Sequence, residues 1–235
     1  DNNNNAHILY TVQKNYIYYN NNIGGDFNNE VYIDASGFNV GNSYQNTNLL
    51  IDSNNNVHIL YIKEVSSGRE IFYTNNINGS FIDPVSIISE SEPNSIECLY
   101  SRLDQTGQIH ILFSERYDGS PYSLNRALFY TKGIDYDPMI IEEGINSWNF
   151  SFEVDNDDNV HIFSNYLDLG YEYNVGYWIG NYDLGFDDML IIDSYPTGGQ
   201  ANQLISAFDY QNNTVHIVYR AGDIRYSNNI DGNFD

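Results

Sequence analysis

The chain has 235 residues, with 32 acidic against 9 basic side chains, a net charge of −23 and one cysteine, Cys98. Such a surface repels phosphate backbones and anionic headgroups, which argues against nucleic acid and membrane insertion; one cysteine permits no intrachain disulfide and no cysteine zinc cluster, and no apolar run approaches the roughly 18 residues of a membrane span. Hydrophobic residues at 41% and aromatics at 15%, with 22 tyrosines, suffice for a core and favour strands over helices.

Near its start the chain reads AHILY (6–10), the first of five related phrases. NNVHILY (55–61), IHILF (109–113), VHIFS (160–164) and VHIVY (215–219) follow, and together they hold all five histidines. His7, His58, His110, His161 and His216 are spaced by 51, 52, 51 and 55 residues, a period suited to a propeller blade. The elements around each phrase keep one order. A first strand (NLLID 48–52, ECLYSRLD 97–104, SFEVD 151–155, LISAFD 204–209) leads through an Asn/Asp turn into the histidine strand. A third strand follows (YIYYN 16–20, EIFYT 70–74, ALFYT 127–131, GYWIG 176–180, DIRYS 223–227). A closing strand comes last (EVYID 30–34, DPVSII 83–88, DPMIIEE 137–143, DMLIIDS 188–194).

Four short strands per roughly 50 residues, punctuated by turns, predict an all-β fold: a five-bladed β-propeller of four-stranded antiparallel blades. The repeats run approximately 1–36, 37–89, 90–143, 144–194 and 195–235 within a single domain. The first blade lacks its first strand and the last lacks its closing strand, as in a ring cut at its seam or an excerpt of a longer chain.

The pattern D-x-x-N-x-V-H-I-x-Y … I-x-Y-x-x-x-x-x-G-x-F-x-x-P-x-x-I resembles repeats of secreted bacterial β-propellers of the loosely sialidase-like and lectin-like kind. The resemblance spans nearly the whole chain and is one of blade, not of activity. The sialidase Asp-box S-x-D-x-G-x-x-W and the Arg-Ile-Pro triplet are absent. It implies a protein at work outside a bacterial cell or on its surface.

Alternation in VHILY puts Val57, Ile59 and Tyr61 on one strand face and His58 and Leu60 on the other. Both faces of a blade pack on neighbours, so each imidazole must find partners locally, and the turn carboxylates Asp52, Asp104, Asp155 and Asp209 are the expected acceptors. Five histidines spread one per blade predict structural rivets rather than a shared metal site. No cofactor is required. Calcium is admitted at one turn only, 155–159, where Asp155, Asp157 and Asn159 alternate oxygen side chains.

The loops between second and third strands are short in repeats one and five but long at 114–126 and 164–176. With the connector 142–148 they are expected to gather Arg116, Tyr117, Tyr122, Arg126, Glu143, Trp148, Tyr166, Asp168, Tyr171 and Tyr173 on one face. Tyrosine and tryptophan platforms edged by carboxylates and guanidinium groups suit sugar rings. The expectation is a non-catalytic carbohydrate-recognition module whose partner is a polysaccharide or glycan. The alternative is a glycoside hydrolase or polysaccharide lyase pairing Glu143 with Asp168 or Glu172, with Glu115 close by. A scaffold for a basic protein partner is the third possibility.

Overall fold

The computed structural model describes residues 1–12, 16–35, 47–66, 68–91, 95–116, 126–135, 137–145, 149–167, 173–195, 204–221, 223–229 and 234. These residues form antiparallel sheets and no helix. Sheet 1 holds β1 (His7–Val12), β2 (Tyr16–Asn21) and β3 (Val31–Ala35). Sheet 2 holds β4 (Thr47–Ile51), β5 (Val57–Val65), β6 (Gly68–Asn75) and β7 (Val85–Ser91). Sheet 3 holds β8 (Ser95–Leu103), β9 (Ile109–Arg116), β10 (Arg126–Lys132) and β11 (Met139–Glu143). Sheet 4 holds β12 (Asn149–Val154), β13 (Val160–Leu167), β14 (Tyr173–Asn181), the two-residue β15 (Gly185–Phe186) and β16 (Leu190–Tyr195). Sheet 5 holds β17 (Leu204–Asp209), β18 (Thr214–Ala221) and β19 (Asp223–Asn228).

Strand order in each sheet follows chain order. Sheet 4 departs from four strands because its outer strand is interrupted. β15 pairs with the end of β14 and β16 with its beginning, so two short pieces share one edge. The register slips at the same repeat position in four sheets, at Ile17/Tyr18, Ile71/Phe72, Leu128/Phe129 and Val175/Gly176. A bulge there steepens the local twist of the outer edge.

In sheets 2, 3 and 4 the two faces of the histidine strand serve different neighbours. In β5, Val57, Ile59 and Tyr61 join Ile17, Tyr19 and Ile33 of sheet 1, whereas Leu60 and Ile62 join Ile109, Ile111 and Phe113 of sheet 3. A third core, including Trp178, Tyr130 and Phe152, fills the space between sheets 3 and 4; a fourth, around Phe163 and Ile217, lies between sheets 4 and 5. Burial on both faces explains why the histidine strands of sheets 2, 3 and 4 open on a nearly unbroken apolar run.

The histidines are rivets, and each has a tyrosine partner. The Nδ1 atoms of His7, His58, His110, His161 and His216 lie 2.6–2.8 Å from the hydroxyls of Tyr19, Tyr73, Tyr130, Tyr177 and Tyr226. Nε2 faces the turn carboxylate: Asp1 at 2.9 Å, Asp52 at 3.5 Å, Asp104 at 3.4 Å and Asp155 at 3.2 Å. Burial pushes the His110 imidazole below its ordinary value against the opposing pull of Asp104. The neutral ring then donates Nε2–H to the carboxylate and accepts the tyrosine O–H at Nδ1.

Each turn is held by its own aspartate. Asp155 Oδ1 accepts the backbone N–H of Asp157 and of Asn159, and Oδ2 accepts from Asn159 Nδ2. A residue with positive φ closes the turn: Asn4, Asn55, Gly107, Asp158 and Asn213. Short polar side chains and glycine tolerate that conformation best.

These bonds predict acid lability. Burial alone would raise the Asp155 carboxyl, but hydrogen bonds from His161, Asn159 and the turn backbone override it and hold the pKa at about 2. Asp52 and Asp104 are lowered in the same sense. A depressed carboxyl stabilises the fold above its unfolded value of 3.8 and loses that contribution as pH falls towards 2. Thermal melts followed by circular dichroism should therefore show a steep fall in stability across this window. Asp155→Asn should shallow it, and an unchanged slope would refute the assignment.

Candidate functional site

Adjacent sheets meet through their first strands, β4 on β8, β8 on β12 and β12 on β17. These inner strands carry an unusual share of polar groups. Asn48 Nδ2 donates to the Leu99 carbonyl at 2.9 Å, and the hydroxyls of Ser151 and Ser206 lie 2.6 Å apart. Glu153 is buried where three of these strands converge. Its Oε1 accepts from Ser206 Oγ at 3.0 Å and faces Arg102 Nη2 at 3.4 Å. Burial raises the Glu153 carboxyl above its ordinary value, partly offset by Arg102 and Ser206. A cavity of about 250 Å³ opens among the same strands, lined by Asn48, Tyr100, Arg102, Phe150, Ser151 and Ile205, with Thr47, Leu99 and Leu204.

A second polar cluster occupies the other end of β8. Glu97 sits in a bulge between Ile96 and Cys98 and is bonded by Arg116 Nη1 at 3.1 Å and Arg126 Nε at 2.7 Å. Arg69 donates to the Ile96 carbonyl beside it. Glu97 and Arg102 are five residues apart on an extended strand, about 16 Å at 3.3 Å per residue. The two clusters are therefore separate centres.

Arg116 and Arg126 are brought together by Glu97, which both of them bond. Glu143 is exposed at the end of β11, opposite Ala127 on the outer edge of sheet 3. Tyr166 is buried over Gly176, and Tyr173 stacks on Tyr195 with centroids 5.9 Å apart. Tyr117, Tyr122, Trp148, Asp168, Tyr171 and Glu172 lie outside the described residues. Glu115 is buried at the end of β9.

At the turn 155–159, Asp155 directs both oxygens inward to the turn and to His161, as described above. Among the described residues, Asp104, His110 and Asp158 come close enough to share a cation, but the Lys132 ammonium is already bonded to Asp158 there.

No family model and no curated protein matches the sequence. Solved structures do match. A Hadza microbial sialidase aligns with 94% of this chain at 10% identity and a TM-score of 0.58, and this chain spans 53% of its length. The α-L-arabinanase of Penicillium chrysogenum, solved with arabinobiose, aligns with 97% of this chain and 76% of its own at 10% identity and a TM-score of 0.58. An endo-arabinase from Bacteroides thetaiotaomicron aligns with 96% and 89% at 9% identity and a TM-score of 0.52. The chain has a β-propeller-like, all-β fold.

These neighbours correct the expected non-catalytic recognition module. The structures that share the architecture over almost the whole chain bear the names of enzymes, a sialidase and two arabinan-cleaving proteins. Glu153 escaped notice because it sits in an ordinary strand phrase, SFEVD. Aligning the repeats on the turn aspartate would have found it: two residues before that aspartate they read Leu50, Arg102, Glu153 and Ala207, opposite charges in consecutive repeats.

Proposed function

We propose that the chain is a carbohydrate-active enzyme, a glycoside hydrolase of five-bladed propeller architecture that takes its glycan into the cavity between the inner strands. The observation that carries this is Glu153. A buried carboxyl with raised proton affinity, bonded to the Arg102 that lines the cavity, is the form a general acid takes. Arg102, bonded to it and lining the cavity, would orient the carboxyl and bind an anionic or hydroxyl oxygen of the sugar. Tyr100 and Phe150 supply ring surface at the same wall. Hydrolysis needs a second carboxylate across the scissile bond, and the two inner-strand glutamates are too far apart to form that pair. Polymeric substrates place the work outside the cell.

The test is a panel of arabinan, sialylated glycans and uronate-containing polymers, incubated with the purified chain. New reducing ends with a saturated product are expected from at least one polymer. Ultraviolet absorbance from a new double bond would instead mean elimination, the lyase reaction. An intact panel, with no bond cleaved, would refute the catalytic assignment.

A further inference from the structure

The junction of sheets 3 and 4 breaks the repeat pattern at two positions. Two residues after the rivet tyrosine stand Asn21, Asn75, Ile179 and Asn228, but Lys132 in repeat three. The turn residue of positive φ is Asn4, Asn55, Gly107 or Asn213, but Asp158 in repeat four. The two meet, with Lys132 Nζ bonded to Asp158 Oδ2. An ion pair accounts for that oxygen alone. Asp158 Oδ1 is buried, has no hydrogen-bond partner among the described residues and faces His110 Nε2 at 3.7 Å. A carboxylate oxygen left in that state is costly.

His110 Nε2 also faces Asp104 Oδ2, at 3.4 Å. Both separations exceed the 2.9 Å between His7 and Asp1, a direct hydrogen bond. They are close to what an interposed ion produces, since tetrahedral ligands about 2.0–2.2 Å from zinc lie about 3.3–3.6 Å from one another. All three ligand atoms lie within 4.8 Å of each other. His58 stands at a similar 3.5 Å from Asp52, but there Gly107 lines the adjoining cavity and supplies no third donor.

The remaining polar atoms of the trio are held from behind. Asp104 Oδ1 accepts the backbone N–H of Thr106 and of Gln108, each at 2.8 Å. His110 Nδ1 lies 2.7 Å from the Tyr130 hydroxyl, and Lys132 holds Asp158 Oδ2. Outer partners of this kind orient the ligands of metal sites. Taking up an ion moves the ring's proton from Nε2 to Nδ1, where the Tyr130 oxygen accepts it. Two carboxylates outweigh one ammonium, so the cluster attracts a cation.

We infer that Asp104 Oδ2, His110 Nε2 and Asp158 Oδ1 form a site for a divalent transition ion of the zinc class, which clamps sheet 3 to sheet 4. One nitrogen and two oxygens suit zinc better than calcium, which takes oxygen ligands in larger number. Asp158 is partly exposed, so water reaches the fourth corner. None of these residues lines the cavity beside Glu153, and the inference stands apart from the catalytic proposal.

Calorimetric titration of the chelator-stripped chain with Zn²⁺, followed by thermal melts, tests it. One saturable site per chain is expected. Free Zn²⁺ at about 100 times its Kd should raise Tm by roughly 5–10 °C, and Ca²⁺ at the same concentration should do little. Co²⁺ in place of Zn²⁺ should develop the intense visible absorption of four-coordinate cobalt. Asp158→Asn installs the residue that three other repeats carry there, so it should fold, and it should weaken Zn²⁺ binding by about tenfold or more. Lys132→Asn keeps all three ligands and removes the neighbouring ammonium, so it should bind Zn²⁺ at least as tightly as the parent. Absence of saturable Zn²⁺ binding would overturn the inference, as would Ca²⁺ matching Zn²⁺, the behaviour of an ion that merely screens the −23 charge. Undiminished binding by Asp158→Asn, or weakened binding by Lys132→Asn, would overturn it equally.

Discussion

Glu153→Gln is expected to lower turnover on the cleaved polymer by about 10²–10⁴-fold, the range a positioned proton donor contributes. The amide keeps an oxygen to accept from Ser206 and Arg102, so KM should change little and the loss should fall on kcat. Stability should move the other way. Burial raises this carboxyl above its unfolded value of 4.5, so its contribution to folding is fully present below that value, where it is protonated, and is lost as pH rises through the folded value. Glutamine does not titrate, and the melting temperature of the variant should gain on the parent as pH rises above 4.5. A merely structural polar seam predicts the reverse pattern: turnover near that of the parent, with a lowered melting temperature at neutral pH.

The sequence made the repeat legible because its strongest signals are local. The alternation in VHILY, the aspartate heading each turn and the positive-φ asparagines act within about seven residues of one another. The tyrosine that completes each rivet was not legible. Tyr73 is a diagonal neighbour of His58, whose direct partner in the ladder is Asn75, so the pairing depends on register and on ring reach rather than on spacing. Glu97 was hidden for a related reason: a bulge re-aims its side chain towards Arg116 and Arg126. Glu153 depends on Arg102 and Ser206, each about one repeat away in sequence, and its burial follows from how three sheets meet. Loop length carries no such register information: that Tyr166 packs against Gly176 and Tyr173 on Tyr195 follows from how β13, β14 and β16 lie together.

Trp178→Thr is the substitution that repeat averaging would recommend, and it is expected to be among the most destabilising in the chain. The residue after the rivet tyrosine is Asn20, Thr74, Thr131 and Ser227 in the other repeats, so threonine is the common choice. Replacements towards such a common residue usually stabilise by about 0.5–2 kcal/mol. Trp178 is different because it fills the core between sheets 3 and 4. Among the described residues it is the largest fully buried side chain, packed among Leu112, Leu128, Tyr130, Phe150, Phe152 and Ile162, and its indole N–H faces Glu142 Oε2 across the interface at 3.4 Å. Truncating a buried tryptophan costs about 3–5 kcal/mol through lost transfer energy and the cavity left behind. For a chain of this length, about 2–4 °C per kcal/mol translates that into a fall in Tm of roughly 6–20 °C. Trp178→Phe, which retains a ring, should lose markedly less. A Trp178→Thr variant melting within about 2 °C of the parent would mean that the sheets slide together to close the cavity, and that the interface tolerates the common residue after all.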